Sequence, residues 1–386
     1  MDDVEPSGDD ASNEADALEA GPPLERIESV FAVYETRIED GGERLVYYGD
    51  PLDVPQRVTD ELWATFHECG YEPRLTRRHG EFVLVAEPHS VGVDGIPWTN
   101  VVLLLLTVVS TLFAGSMWYH IDPIANPTEM WRAWPFTVAI LGVLGVHEMG
   151  HYAMSRYHDV DASLPYFIPV PTLIGTMGAV IKMNGRMPDR KALFDIGVAG
   201  PLAGLVATVA VTVVGLHLPP VTAPETVVQD PDAIQIQLGY PPLLEMLAAA
   251  VDQPLYRDDP ATAVNPVVIG GWVGMFVTFL NMIPVGQLDG GHILRAMTSE
   301  YQETIAALVP GGLFGLAVYL YYVSGHSGNS VLIWAVWGIF TAVLATVGPA
   351  HPVDDDRLGP GRFALGIVTF GLGLLCFMTV PIAIVD

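Results

Sequence analysis

Gly142–Tyr157 read GVLGVHEMGHYAMSRY, and this stretch decides how the rest of the chain is read. It sits inside an apolar run, residues 133–157, of the length a helix needs to cross a bilayer. His147 and His151 are four residues apart, so on a helix they share one face and can bind one metal ion. Glu148, next to the first histidine, is placed to polarise a water and shuttle its proton. Ionisable groups inside an apolar span are costly and mark a functional site by default.

The surrounding composition is that of a membrane protein. Of 386 residues, 51% are hydrophobic and 16% are charged, against about 25% charged in soluble domains. Six further apolar runs cover residues 98–118, 192–217, 265–285, 302–323, 329–348 and 363–385. The expected fold is therefore a polytopic α-helical membrane protein with about seven transmembrane helices, residues 96–386, carrying a small N-terminal soluble α+β domain. Residues 1–23 are acidic, lack Lys and Arg, and read as a disordered tail rather than a secretory signal. Residues 24–95 read as the α+β domain. ESVFAVYET and RLVYYGD form a hairpin around EDGGE. A helix with Val58, Leu62, Phe66 and Cys69 on one face ends at Gly70, and RLTRRH with EFVLVAE forms a second hairpin. His67 beside that stripe reads as structural. Between the second and third spans, PYFIPVPTLIGTMGAVIKMNGRMPDR is apolar but broken by Pro and Gly, the pattern of short strands or a re-entrant hairpin. Residues 218–264 form a long loop with an amphipathic stretch, PPLLEMLAAAV.

The formal charge is -27, and Lys182 and Lys191 are the only lysines. That sign excludes a nucleic-acid partner and suits solubility in high salt, where self-repulsion is screened. Basic residues set the expected orientation. With the N-terminus inside, Arg156, Lys182, Arg186, Arg190, Lys191, Arg295, Arg357 and Arg362 fall on the inner side, and only Arg132 and Arg257 on the outer. The expected location is the cell membrane, multi-pass, with the N-terminus and the active site toward the cytoplasm. The two cysteines, Cys69 and Cys376, lie in the N-terminal domain and the last span; they cannot pair, and a Cys-rich metal site is excluded.

A hydrolytic metal site needs a third protein ligand and an open position. The fourth span ends FVTFLNMIPVGQLDGGHIL, residues 276–294. Asp289 there is either a turn residue before Gly290 and Gly291 or the missing ligand. The second and fourth spans run in the same direction, so Asp289 and HEMGH reach similar depth. Asp195 reads as the acid of a helix N-terminus. His217 lies at the wrong depth, and His292 and His158 read as structural and interfacial.

HEMGH followed by NMIPVGQLDGG resembles the site-2 protease family of intramembrane zinc metalloproteases, over about residues 95–350. Chloroplast and archaeal members share stretches like GTMGAV, here Gly175–Val180, and DIGVAGPLAG, here Asp195–Gly204. The resemblance implies a zinc metalloendopeptidase with His147, His151 and Asp289 on Zn2+ and Glu148 as base. Asn281, at the Asn of the NxxP pattern, would stabilise the oxyanion; helix-to-helix hydrogen bonding is the competing role. The implied partners are transmembrane protein substrates and the lipid bilayer. Gly197, Gly200 and Gly204 read as a helix-packing face. Gly175–Met183 could take an unwound substrate as an added strand. A membrane metal transporter and a non-proteolytic metal-binding scaffold are the alternatives. A transporter calls for polar groups across several spans, and a scaffold calls for loss of Glu148 or a ligand.

Overall fold

The protein is described from a computed structural model, covering residues 21–39, 44–88, 95–184, 187–225, 235–257, 259, 261–299, 301–350, 352–354 and 356–385. Most of the expected acidic tail, the centre of the EDGGE turn and Arg186 lie outside these residues. Two compact units emerge, Met1–Val91 and Gly92–Asp386.

In the first unit, α1 (Leu24–Glu28) leads into β1 (Phe31–Glu39) and β2 (Arg44–Pro51). Helix α2 (Pro55–Glu68) precedes β3 (Tyr71–Arg78) and β4 (Glu81–Pro88). The strands form one antiparallel sheet in the order β1-β2-β4-β3. The period-2 alternation puts Leu45, Tyr47, Leu84 and Ala86 on one face. Val58, Leu62 and Phe66, spaced at helical intervals on α2, close over that face. Cys69 lies just past the helix, half-buried, rather than on the stripe. The His67 ring stacks on Trp63 with centroids 4.6 Å apart, the structural role expected of it.

The second unit begins with α3 (Trp98–Trp118). A 3-10 turn at Pro127–Ala133 runs into α4 (Trp134–Tyr157). Short strands follow: β5 (Asp161–Ala162), β6 (Tyr166–Pro169), β7 (Thr176–Val180), β8 (Met183–Asn184) and β9 (Met187–Asp189). Helix α5 (Arg190–His217) leads to β10 (Val221–Thr222), β11 (Gln235–Leu238), α6 (Pro242–Ala250), β12 (Thr262–Ala263) and α7 (Val267–Asn281). Then come α8 (Asp289–Thr298), α9 (Tyr301–Tyr322), α10 (Gly328–Val347), β13 (Pro352–Asp354), α11 (Pro360–Leu375) and β14 (Ile382–Val385).

Among the described residues, five helices are long and apolar enough to cross a membrane: α3, α4 with its preceding turn, α5, α9 and α10. Together with the N-terminal sheet they make this a polytopic membrane protein. The expected fourth and seventh spans are shorter, at 15 residues for α7 and 16 for α11. That is about 22–24 Å of helix against about 30 Å of hydrocarbon. The causes are local. Pro284 follows α7 and cannot continue it. The end of the seventh run extends past Pro381 into β14, which pairs with β11.

Helix α7 is apolar all round and lies innermost, packed against α4 and α5 with Trp272 and Met275 buried. The Pro- and Gly-broken segment forms the β6–β7 hairpin, in register Tyr166↔Val180 and Phe167↔Ala179. Its irregular backbone needs partners at membrane depth, and α3 supplies them. Asn100 Nδ2 donates to the Leu164 and Pro165 carbonyls at 2.8 and 3.1 Å, Ser110 Oγ to Gly175 at 2.5 Å, and Trp118 Nε1 to Leu173 at 2.8 Å.

After α7 the chain folds back, and the first turn of α8 lies against the Met282 and Ile283 carbonyls so closely that a Cβ on Gly290 would overlap Met282. Gly290→Ala should therefore destabilise the membrane unit by about 1–3 kcal/mol, the usual range for overpacking. The thermal midpoint in detergent reads this, and an unchanged midpoint would contradict the close packing.

Candidate metal centre

His147, Glu148 and His151 all lie on the buried part of α4, each less than a tenth exposed. Room for the two imidazoles comes from α5. A Cβ on Gly200 would overlap the His151 ring, and one on Gly204 would overlap His147. Gly150 on α4 in turn approaches the Ala199 carbonyl. The glycines expected to pack helices do so, and two of them also seat the histidines. A Gly every three or four residues along an apolar helix was the available signal for that second role.

Asp289 is the first residue of α8, and the turn after α7 carries it to α4. Its Oδ1 lies 3.2 Å from His151 Nε2, and its Oδ2 lies 3.3 Å from His147 Nε2. The two Nε2 atoms are 3.2 Å apart. Among the described residues, His147, His151 and Asp289 are the group whose donor atoms, all within 4.8 Å of one another, could hold a metal ion. Asp289 Oδ2 is buried and makes no hydrogen bond, although a carboxylate oxygen in such surroundings needs a partner. His151 Nδ1 lies 2.8 Å from the Ile196 carbonyl. A carbonyl only accepts, so Nδ1 carries the proton and Nε2 keeps its lone pair for the cluster. Two imidazole nitrogens and a carboxylate converging on one point are a donor set that suits zinc.

The Glu148 carboxylate lies outside that group of donors, near the backbone of Ile181, the residue after β7. Asn281, the last residue of α7, brings its Nδ2 to 3.1 Å from His147 Nε2, at the edge of the cluster. All five residues singled out in the sequence therefore meet. The remaining candidates lie elsewhere. His217 bonds the Val213 carbonyl of its own helix at 2.8 Å. His292 is buried behind the cluster, with its Nδ1 unpartnered. Asp195 does not cap α5: the helix starts at Arg190, and Asp189 caps it by accepting the Ala192 N–H at 2.7 Å. The Asp195 carboxylate is bonded instead by Arg362 and by His158.

Comparison with known proteins follows the same residues. The model of peptidase family M50 matches residues 135–309. A protein named "Probable zinc metalloprotease EGY1, chloroplastic" from Arabidopsis thaliana is 32% identical, over 68% of this chain and 47% of its own length. Its counterpart of the same name from Oryza sativa subsp. japonica is 30% identical, over 89% of this chain and 63% of its own. "Probable zinc metallopeptidase EGY3, chloroplastic" from Arabidopsis thaliana is 27% identical, over 92% and 63%. The chain thus spans roughly half to just under two thirds of these relatives. No solved structure matches it. HEMGH, Asn281 and Asp289 all fall inside the matched stretch, and the chain belongs to peptidase family M50, the site-2 protease family.

Proposed function

We propose that this protein is an intramembrane zinc endopeptidase that hydrolyses peptide bonds within or near the transmembrane segments of other proteins. The observation that carries the reading is the convergence of His147, His151 and Asp289 in the apolar interior, with Glu148 beside them and outside the ligand set. His147, His151 and Asp289 would hold the zinc, which when bound would supply Lewis acidity toward a peptide carbonyl and a water. Glu148 takes the proton of that water and passes it to the leaving amide nitrogen. Strand β7, which leads into Ile181, packs against α4, so Glu148 lies near the hairpin side of the site. Asn281 offers amide N–H donors at the cluster's edge, where negative charge develops on the carbonyl oxygen.

A protease must bind its substrate extended, and among the described residues the β6–β7 hairpin pairs with no third strand. The hairpin joins the site at Ile181, so a strand added there leads toward Glu148. Single-span membrane proteins already trimmed on the outer side are the substrates the family resemblance implies. A metal transporter would need a polar path across several spans, whereas the candidate metal donors His147, His151 and Asp289 gather around one point.

We read seven crossings, with α7 and α11 as the short ones, in the cell membrane with the N-terminus and the active site toward the cytoplasm. The basic-residue bias favours this direction. Two pairings support the parity: β9 with β13, and β11 with β14, each join loops that this count assigns to the same side.

Three measurements test these readings. Glu148→Gln should keep its zinc and lose cleavage by about 10²–10⁴-fold, the usual worth of a general base; near wild-type proteolysis in purified protein would remove the assigned role. Asp289→Ala should lower zinc per chain as well as activity, while His292→Ala should largely spare the metal; full zinc in the first and loss in the second would reverse the assignment. In a background lacking Cys69 and Cys376, a single cysteine in residues 158–184 should label only from the cytoplasmic side, and one in residues 235–257 only from outside. Labelling of the first from outside intact cells would overturn the orientation.

A further inference from the structure

Helices α4 and α5 run antiparallel through the site, His147 facing Gly204 and His151 facing Gly200. His158 lies seven residues past His151, two helical turns on, and so on the same face of α4. It is the residue immediately after the helix. Its Nε2 meets Asp195 Oδ2 at 3.0 Å. Asp195 directly precedes Ile196, whose carbonyl orients the His151 ring at 2.8 Å. The carboxylate is itself held from the other side. Arg362 of α11 donates from Nε to Oδ1 at 2.7 Å and from Nη2 to Oδ2 at 2.8 Å. This is the two-bond fork that fixes a carboxylate in orientation as well as position.

Three helices therefore meet at one half-buried carboxylate: the end of α4, the second turn of α5 and the start of α11. Pro201 makes the meeting consequential. It offers no N–H to the Gly197 carbonyl and crowds that turn of α5. The helical ladder is weakest next to the carbonyl on which His151 depends. Sliding α4 by one residue along α5 moves a side chain about 1.5 Å, enough to break a 2.8 Å bond.

We propose that Asp195 is a positioning residue for the metal centre: clamped by Arg362 and bonded to His158, it sets the register of α4 against α5 so that the Ile196 carbonyl holds His151 in its ligand orientation. The C-terminal helix α11, which lies beyond residues 135–309, is thereby part of the zinc site's support. The inference rests on zinc binding at His147, His151 and Asp289.

The test uses the full chain in detergent or nanodiscs, with zinc affinity measured by competition with a chelator of known affinity. Thermal midpoint is recorded separately for the zinc-free protein. Asp195→Asn and Arg362→Gln should each weaken zinc binding about 10–100-fold, the usual effect of removing a group that supports a ligand. The double variant should be little worse than either single, because both act through one bridge. Arg362→Lys, which keeps the charge and loses the fork, is the gentler probe, and its affinity should fall by less than that of Arg362→Gln. His158→Gln, which keeps a donor, should stay close to wild type, and His158→Ala should not. A fallen midpoint with unchanged zinc affinity in Asp195→Asn, or in Arg362→Lys where Asp195→Asn does not fold, would make the clamp merely structural and overturn the proposal. Failure of the wild-type protein to bind zinc would instead overturn the metal-site reading beneath it.

Discussion

Two imidazole nitrogens and a carboxylate oxygen brought within about hydrogen-bonding distance, inside an apolar bundle, are the constraint that the rest of the membrane unit serves. Such groups are costly to bury unless they compensate one another or a metal. The surrounding architecture keeps that compensation available at one point. Helix α5 supplies glycines where the imidazoles need space and a carbonyl where one of them needs a partner. Helix α7 supplies an amide from its last residue. The fold-back after α7 delivers the carboxylate, at the cost of an apolar helix too short to span the hydrocarbon comfortably. That shortness and the position of Asp289 have the same cause, since the chain that would have continued the helix is spent on the turn that carries Asp289.

The β6–β7 hairpin shows the same economy. Unpaired backbone is tolerated at membrane depth only where protein satisfies it. Helix α3 does so through an asparagine, a serine and a tryptophan spread along its length. The hairpin then packs against α4, with Ile181 near Glu148. The hairpin, the His–His–Asp cluster and Glu148 thus come together at one buried place.

What could be read in the sequence and what could not divide along physical lines. His147, Glu148 and His151 were legible because a helix converts a four-residue spacing into a shared face. Asp289 was legible because Pro and Gly announce a turn next to an acid. The N-terminal sheet and its helix followed from alternation and a helical stripe, though Cys69 fell just beyond the helix. Span ends were less legible, because hydropathy records apolar side chains and not where Pro284 or a strand pairing stops a helix. Asp195 was misread for a related reason. Its position near an apolar run matched a helix cap, whereas its partner Arg362 is 167 residues away, and no local pattern announces such a pairing. Gly200 and Gly204 were read as packing residues, and only the facing helix reveals that what they accommodate is the pair of imidazole rings of His147 and His151.

X-ray absorption at the zinc edge of the purified full-length protein tests the central claim most directly. The account predicts one zinc per chain, with two imidazole nitrogens and carboxylate or water oxygen at about 2.0–2.2 Å and no sulfur. The imidazole signature should fall to a single ring in His151→Ala. A zinc bound through sulfur, or one whose spectrum is unchanged in His151→Ala, would contradict it.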